Sequence, residues 1–210
     1  KLEHNNLNYR THPKHMVLGL LSTHVNLHTS EQEQDKVGFP NNDPEGKHKY
    51  NDMLQGWRIE EACFDHQHGY YGAIYVNDQH HWVVLSHQGF NEKTLYNTMS
   101  TAIRQEKNNS ALFPMYEFTT KAVKMAADKH YTLSITGHGI GGWFAMVSHA
   151  FCYHIGKDLE KKSKEKTNSS SSAASNISKF NWEEVQSVVF DAPGGEMLKT
   201  LLDGMIDVAA

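Results

Sequence analysis

Runs of β-branched and aromatic residues along the chain predict the strands of a sheet. Residues 70–76 and 81–86 form two such runs, and the polar stretch 77–79 between them is typical of a hairpin or meander. Two further runs lie at 131–136 and 185–190, and the second is a continuous apolar run of the kind found in buried strands. The pattern therefore predicts four strands.

Apolar residues spaced three or four apart predict helices around these strands. Leu95, Met99 and Ile103, for example, fall on one face of a helix. The predicted helices cover residues 15–28, 91–106, 115–129, 140 to about 154, and the final fifteen residues. A strand, a glycine turn and the helix from Ile140 follow one another directly, and this order is typical of an α/β sheet.

The chain divides into a polar first part and a predicted core. Residues 1–50 are rich in His, Asn and Lys and are predicted to form a polar N-terminal extension, whereas residues 51–210 carry the core. Residues 157–180 are charged and then rich in Ser. This composition indicates a flexible insertion, or the end of a helix running into a disordered loop.

Composition narrows the functional classes. The 210 residues suffice for one sizeable core. The net charge is −4, from 20 Lys and Arg against 24 Asp and Glu, which argues against nucleic acid as the main partner because phosphate binding needs clustered cations. The longest uncharged apolar run, 16–21, is far shorter than the ~20 residues of a membrane-spanning helix. Cys63 and Cys152 are too few for a disulfide framework.

The segment GHGIGG at 137–142 has two interpretations. In the first, Gly137, Gly139 and Gly142 form the G-x-G-x-x-G fingerprint of a dinucleotide site, between a strand and a helix. That site also needs an acidic residue at the end of a second strand about 20 residues further on. Residues 158–165 read DLEKKSKE, which predicts no strand there.

In the second interpretation, residues 137–141 are a G-x-S-x-G nucleophile elbow with Gly139 in place of the serine. Such an elbow lifts its central residue onto a sharp, strained turn between a strand and a helix. Glycine adopts strained backbone angles more readily than any other residue. Gly139 would keep the turn while removing the reactive oxygen.

Three sequence blocks, in the same order along the chain, resemble the class 3 (fungal-type) lipases. The block LSITGHGIGGWFA at 133–145 resembles that family's elbow, which is roughly TGHSLGG followed by a helix. The block VVLSHQGF at 83–90 resembles its oxyanion strand and loop, and SVVFDAPG at 187–194 resembles the strand after the elbow helix. The likeness covers residues 55–195.

The resemblance implies an α/β-hydrolase with a central, mostly parallel sheet, flanking helices and no cofactor. Members of that family cleave carboxylic esters of lipids through a Ser-His-Asp triad. By motif position, the nucleophile site is Gly139, and the oxyanion N–H groups belong to Ile140 and Phe90. The implied partner is a lipid or another ester substrate, and the charged run 157–166 suits transient contact with a membrane surface.

The chain departs from that family at two points. Gly139 has no side chain that could form an acyl-enzyme. No histidine follows His154, so the core is predicted to be C-terminally incomplete unless the base is recruited from elsewhere. His138 is predicted to pack or cap locally, and Asp191 is predicted to cap a turn.

Three functional hypotheses remain open. The leading one is a lipase-like ester hydrolase domain that acts on lipid esters and is disarmed by Gly139. The first alternative is a non-catalytic pseudo-hydrolase that binds lipid or protein partners in the same cleft. The second alternative is a nucleotide-binding α/β domain.

Four histidines at the ends of the first predicted strands raise the question of a metal site. His66 and His68 would share one face of a strand, with His80 and His81 close by across the hairpin. Two imidazoles and a third ligand suffice to hold Zn²⁺. Histidines at strand ends are more often exposed and unliganded, so no metal is predicted.

Overall fold

A computed structural model describes residues 12–27, 54–89, 111–166 and 181–192. These ranges contain three α-helices and five β-strands. In chain order they are α1 (His15–His24), β1 (Arg58–Asp65), β2 (Tyr70–Asn77), β3 (Trp82–His87), α2 (Leu112–Lys129), β4 (Thr132–His138), α3 (Ile140–Lys166) and β5 (Gln186–Phe190). Short 3-10 helices occur at Val25–Leu27 and Trp182–Glu184.

The five strands form one mixed sheet in the order β1-β2-β3-β4-β5. Strands β1, β2 and β3 pair antiparallel, whereas β3, β4 and β5 pair parallel. The expectation of a mostly parallel sheet is therefore wrong for the described residues. The reason is the connections: tight turns join β1 to β2 and β2 to β3, and a parallel neighbour needs a longer crossover.

Helices cover both faces of the sheet, which gives an α/β fold in three layers. On one face, Ile74, Leu85 and Ile135 belong to a core shared with α2 and α3. On the other face, Tyr75 and Val84 pack with the residues of α1. The alternation between neighbouring strand residues follows from the two-residue period of a β-strand.

Helix α1 lies within the predicted N-terminal extension and packs against the sheet. Leu18 and Leu21 are fully buried. The carbonyl oxygen of Leu21 also accepts a hydrogen bond from the Ser86 hydroxyl of β3, at 3.3 Å. The short helix predicted at 15–28 is confirmed, while residues 1–11 and 28–53 lie outside the described residues, so the extent of the extension remains a prediction.

The predicted strands and the helix at 115–129 are confirmed, with their ends shifted by a few residues. Helix α3 is longer than predicted, because it continues through the charged stretch as far as Lys166. For the proposed insertion at 157–180, this favours the end of a helix, and residues 167–180 lie outside the described residues. The helices predicted at 91–106 and in the final fifteen residues also lie outside them.

Helix α3 begins at the glycine turn and places the charged run far from it. Its 27 residues correspond to a length of about 40 Å. Lys157 is therefore about 25 Å along the helix axis from Ile140. Within the described parts of the chain, no helix combines the length and apolar character needed to cross a membrane.

Candidate functional site

The candidate site lies where the three parallel strands end. Strands β3, β4 and β5 finish at His87, His138 and Phe190. The register pairs His87 with Gly137 and His138 with Phe190, so all three strand ends meet at one edge of the sheet. In open α/β sheets, ligands bind outside the carboxyl ends of the strands.

The glycine turn between β4 and α3 changes the chain direction at Gly139. Gly139 has a φ of +58°, in the left-handed region that favours glycine. Its amide donates to the carbonyl oxygen of Phe190 at 2.9 Å, and its carbonyl accepts from the amide of Gly142 at 3.0 Å. The turn is thus held to β5 on one side and opens directly into α3 on the other.

The glycines flanking Gly139 are required by space, whereas Gly139 is not. A Cβ atom at Gly137 would overlap the carbonyl oxygen of Gly141, and a Cβ at Gly141 would overlap that of His87. Among the residues that the structure describes, a Cβ at Gly139 would meet no atom within 4 Å. The turn therefore directs the side-chain position of residue 139 into open space and packs its neighbours tightly.

The loop after β3 lies in backbone contact with this turn. A Cβ at Gly89 would overlap the carbonyl oxygen of His138. The amide of Gly89 is already used, because it donates to the side-chain oxygen of Asn26 at 2.9 Å. The Gln88 side chain also donates to the carbonyl oxygen of Asn26, at 3.4 Å.

Of the two predicted oxyanion donors, the structure describes Ile140. It is the first residue of α3, a position whose amide has no acceptor four residues back within the helix. The amide stands next to the open position of Gly139 and belongs to the electropositive end of the helix dipole. Phe90 lies outside the described residues, so its role remains a prediction.

His138 and Asp191 form a pair beside Gly139. The Nε2 atom of His138 lies 3.1 Å from Oδ2 of Asp191, and the two side chains are 53% and 86% exposed. Asp191 has a φ of +48°, which is uncommon for a residue other than glycine. The sequence assigned the two residues separate local roles. A signal for the pairing was present, because each ends or follows a strand predicted to be parallel.

A buried histidine lies at the end of β3, close to the elbow. The Nδ1 atom of His87 lies 2.9 Å from the Tyr70 hydroxyl, while its buried Nε2 atom has no hydrogen-bond partner within the described part of the chain. Burial lowers the pKa of His87 to about 3, so the ring is neutral at physiological pH. The rings of His87 and Tyr70 both face Phe144 of α3. His87 is thus part of the packing that supports the turn.

A second pair of serine and histidine does not form a catalytic site. The Nδ1 atom of His12 lies 2.9 Å from the Ser134 hydroxyl. Ser134 is fully buried in the middle of β4. Because the side chain is fully buried, the hydroxyl is not accessible to a substrate.

The histidines considered for a metal site lie at opposite ends of strand β2. His66 and His68 are in the turn between β1 and β2, whereas His80 and His81 are in the turn between β2 and β3. The expectation that they lie close together is wrong, because the full length of β2 separates the two turns. Among the described residues, no group of three or more potential ligands is placed to hold a metal ion.

The dinucleotide interpretation lacks its second strand. Residues 158–165, where the ribose-binding acid would stand, belong to helix α3. The next described strand is β5, which begins at Gln186. The glycine pattern of 137–142 is explained by the close packing of the turn, so it needs no bound phosphate.

Comparisons with known proteins give distant structural matches. No protein family and no curated protein matches the chain. A fungal lipase in complex with an inhibitor matches at 10% identity and a TM-score of 0.45, covering 68% of this chain and 57% of its own. The native Rhizomucor miehei lipase with its propeptide matches at 9% and 0.43, covering 90% and 59%. A deletion mutant of that complex matches at 9% and 0.45, covering 90% and 58%.

The chain thus spans less than three fifths of the length of these solved structures. Their identity and TM-scores are too low to assign a family or an activity.

Proposed function

We propose that this chain carries a lipase-like site for carboxylic esters of lipids, in which Gly139 occupies the nucleophile position. The observation that carries the proposal is the backbone of Gly139. Its φ is +58°, and a Cβ placed there would contact none of the described residues at the strand ends. The turn also places this position next to the first amide of a long helix, an arrangement that a simple chain reversal does not require.

The proposed site is disarmed for covalent catalysis. An elbow serine attacks the ester carbonyl and carries the acyl group, and Gly139 has no atom that can do so. Loss of the nucleophile from a triad costs on the order of a million-fold in rate. The amide of Ile140 keeps its place, so the site retains a donor for the carbonyl oxygen of a bound ester.

A cysteine at position 139 tests the site without requiring a general base. A thiolate is nucleophilic by itself, and the start of a helix lowers the pKa of a thiol. We expect the Gly139→Cys variant to be acylated at residue 139 by p-nitrophenyl esters, faster with longer acyl chains. Acylation would be followed by nitrophenolate release and located by peptide mass spectrometry.

Gly56→Cys provides the matched control. Gly56 also has a positive φ, +81°, and stands at the opposite edge of the sheet. The native thiols are poor competitors, because burial raises the pKa of Cys63 to about 11 and that of Cys152 to about 12. Equal acylation rates at positions 139 and 56, or no dependence on chain length, would contradict an ester site.

A non-catalytic binding role is the second candidate, favoured by the same absence of a side chain at Gly139. In that case, the wild-type chain binds an ether analogue of the lipid ester and leaves the ester itself intact. Equilibrium binding of the analogue, measured by calorimetry beside an ester-hydrolysis assay, separates the two roles. Turnover of the ester would contradict the binding-only function.

A further inference from the structure

We propose that His138 and Asp191 form a general-base pair that activates a water molecule above Gly139 for direct hydrolysis of a bound carboxylic ester. The inference rests on the proposed ester site and adds a reaction to it. The two side chains meet at 3.1 Å between Nε2 and Oδ2, and His138 directly precedes Gly139 in the chain.

The pairing is fixed by the backbone around it. His138 ends β4 and is in register with Phe190 of β5, the residue before Asp191. The hydrogen bond from the Gly139 amide to the Phe190 carbonyl ties the turn to that strand. A Cβ at Gly142 would come within 2.9 Å of the Ala192 Cβ, so the chain after Asp191 also packs against the first turn of α3.

The backbone of Asp191 sets the position of its carboxylate. Asp191 directly follows the end of β5 and has a φ of +48°, in the left-handed region that Asp adopts more readily than most residues other than glycine. In this conformation the carboxylate lies 3.1 Å from the imidazole of His138.

The chemistry of the pair determines which nitrogen can act as the base. A carboxylate only accepts hydrogen bonds, so the Nε2 atom that faces Asp191 carries the proton. The lone pair is then on Nδ1 of His138. Asp191 is a positioning residue in this scheme, since it sets the tautomer and stabilises the imidazolium that forms.

The proposed reaction is balanced with water as the only co-reactant. The water oxygen bonds to the ester carbonyl carbon while one water proton moves to Nδ1 of His138. The Ile140 amide donates to the resulting oxyanion. The bond from carbon to the alcohol oxygen then breaks, and the imidazolium returns its proton to the leaving alkoxide. The products are a carboxylic acid and an alcohol, and no covalent intermediate forms on the protein.

The rate expected from this pair is modest. General acid–base catalysis contributes roughly 10²–10⁴-fold. That contribution is far smaller than the effect of a nucleophile, so the proposal agrees with a site that is disarmed for covalent catalysis. In this reaction, Gly139 leaves room for the water molecule in the space that a serine side chain would fill.

Hydrolysis of p-nitrophenyl butyrate by the full chain tests the proposal. We expect His138→Gln to lower kcat/KM on the order of 10²-fold, the lower end of the general-base range. The matched control is His68→Gln, because His68 forms the other described pair with an aspartate, Nδ1 to Asp65 Oδ2 at 2.8 Å, beside no glycine elbow. Equal rates for both variants and the wild type would overturn the proposal.

The ester site is checked separately by acylation of the Gly139→Cys variant in the His138→Gln background. Unchanged acylation together with lost hydrolysis supports the general-base pair. If acylation is unchanged and hydrolysis is as fast in His138→Gln as in the wild type, the general-base pair is overturned while the proposed function stands. Absence of selective acylation contradicts the proposed function itself.

The tautomer of the His138 ring provides a test of the proposal that does not depend on measuring activity. We expect nitrogen chemical shifts of the wild-type protein to show the proton on Nε2 at a pH where the ring is neutral. In Asp191→Asn the amide group can also donate, and we expect the proton to move to Nδ1 in part of the population. Asn tolerates a positive φ as Asp does, so the backbone is retained. A wild-type ring protonated on Nδ1 would overturn the assignment.

Discussion

The side-chain oxygen of Asn26 accepts a 2.9 Å hydrogen bond from the amide of Gly89. This contact joins the end of the N-terminal helical segment to the loop that follows β3. The same loop lies in backbone contact with the elbow at His138. Residues far apart in the chain thus fix the position of this loop at one side of the candidate site.

Removing the Asn26 acceptor should leave the loop at Gly89 less firmly positioned. We expect Asn26→Ala to lower the free energy of unfolding by about 2 kcal/mol, because it removes two side-chain hydrogen bonds of about 1 kcal/mol each, one from the Gly89 amide and one to the Ser22 carbonyl oxygen, and the second is lost in Asn26→Asp as well. It should also slow acylation of the Gly139→Cys variant, because the loop no longer has a fixed position. Asn26→Asp keeps the acceptor and is the control. Equal acylation in the Asn26→Ala and Asn26→Asp backgrounds would show that the contact does not position the loop.

The glycines of the turn should differ sharply in their tolerance of alanine. Gly139→Ala should cost about 1–2 kcal/mol, since only the positive φ opposes it. Gly141→Ala should cost at least the upper end of the ~1–3 kcal/mol seen for overpacking, because its Cβ would overlap the backbone of His87. Urea unfolding of the two variants measures the difference. A larger loss for Gly139→Ala would be inconsistent with open space at that position.

Burial of His87 predicts a loss of stability in mild acid. Its pKa in the folded state is about 3, well below the ordinary 6.5, because the buried ring disfavours charge. Between these pH values the unfolded state binds more protons. The contribution of His87 is therefore complete above pH 6.5 and decreases by about 1.4 kcal/mol per pH unit below it.

Comparison with His87→Phe isolates this contribution. Burial also lowers the pKa of His12 and His149, so the wild-type curve contains more than one group. The difference between wild type and His87→Phe in urea unfolding should shift by about 2 kcal/mol from pH 6.5 to pH 5. His154→Gln, at an exposed position of α3, is the control. A difference independent of pH would show that His87 is not a buried neutral ring.

The two native thiols should be slow to react in the folded protein. Burial raises the pKa of Cys63 to about 11 and that of Cys152 to about 12. Because the thiolate is the nucleophile, both should react with a chromogenic disulfide more slowly than a free thiol at pH 8, and Cys152 should be the slower. In urea the two should react alike. Fast modification of Cys152 in the native state would contradict its burial.

Four of the five described strands and the position of the glycine turn could be predicted because their signals are local. A two-residue alternation with β-branched and aromatic residues marks β2 and β3, and closely spaced glycines mark the turn at 137–142. The resemblance to class 3 lipases pointed to Gly139, whose backbone angle and open surroundings support the proposal made for it. The donor predicted on Phe90 lies outside the described residues and remains a prediction.

Other features depended on connections that a local pattern does not specify. The hairpin predicted between β2 and β3 is present, whereas β1 and its antiparallel pairing with β2 were not predicted. Strand β2 separates the turn that holds His66 and His68 from the turn that holds His80 and His81. The role of Asn26 was also out of reach, because its partner Gly89 is 63 residues away in the chain.

The amino-acid sequence by itself determined four of the five described strands, β2 to β5, and the position of the glycine turn at 137–142. These properties depend on the side chains and backbone angles of a few consecutive residues. Only the tertiary structure brought His138 within 3.1 Å of Asp191, across 53 residues of chain. That distance requires β4 and β5 to be adjacent strands in the register that pairs His138 with Phe190. The two strands are adjacent because helices bury both faces of the sheet that they form.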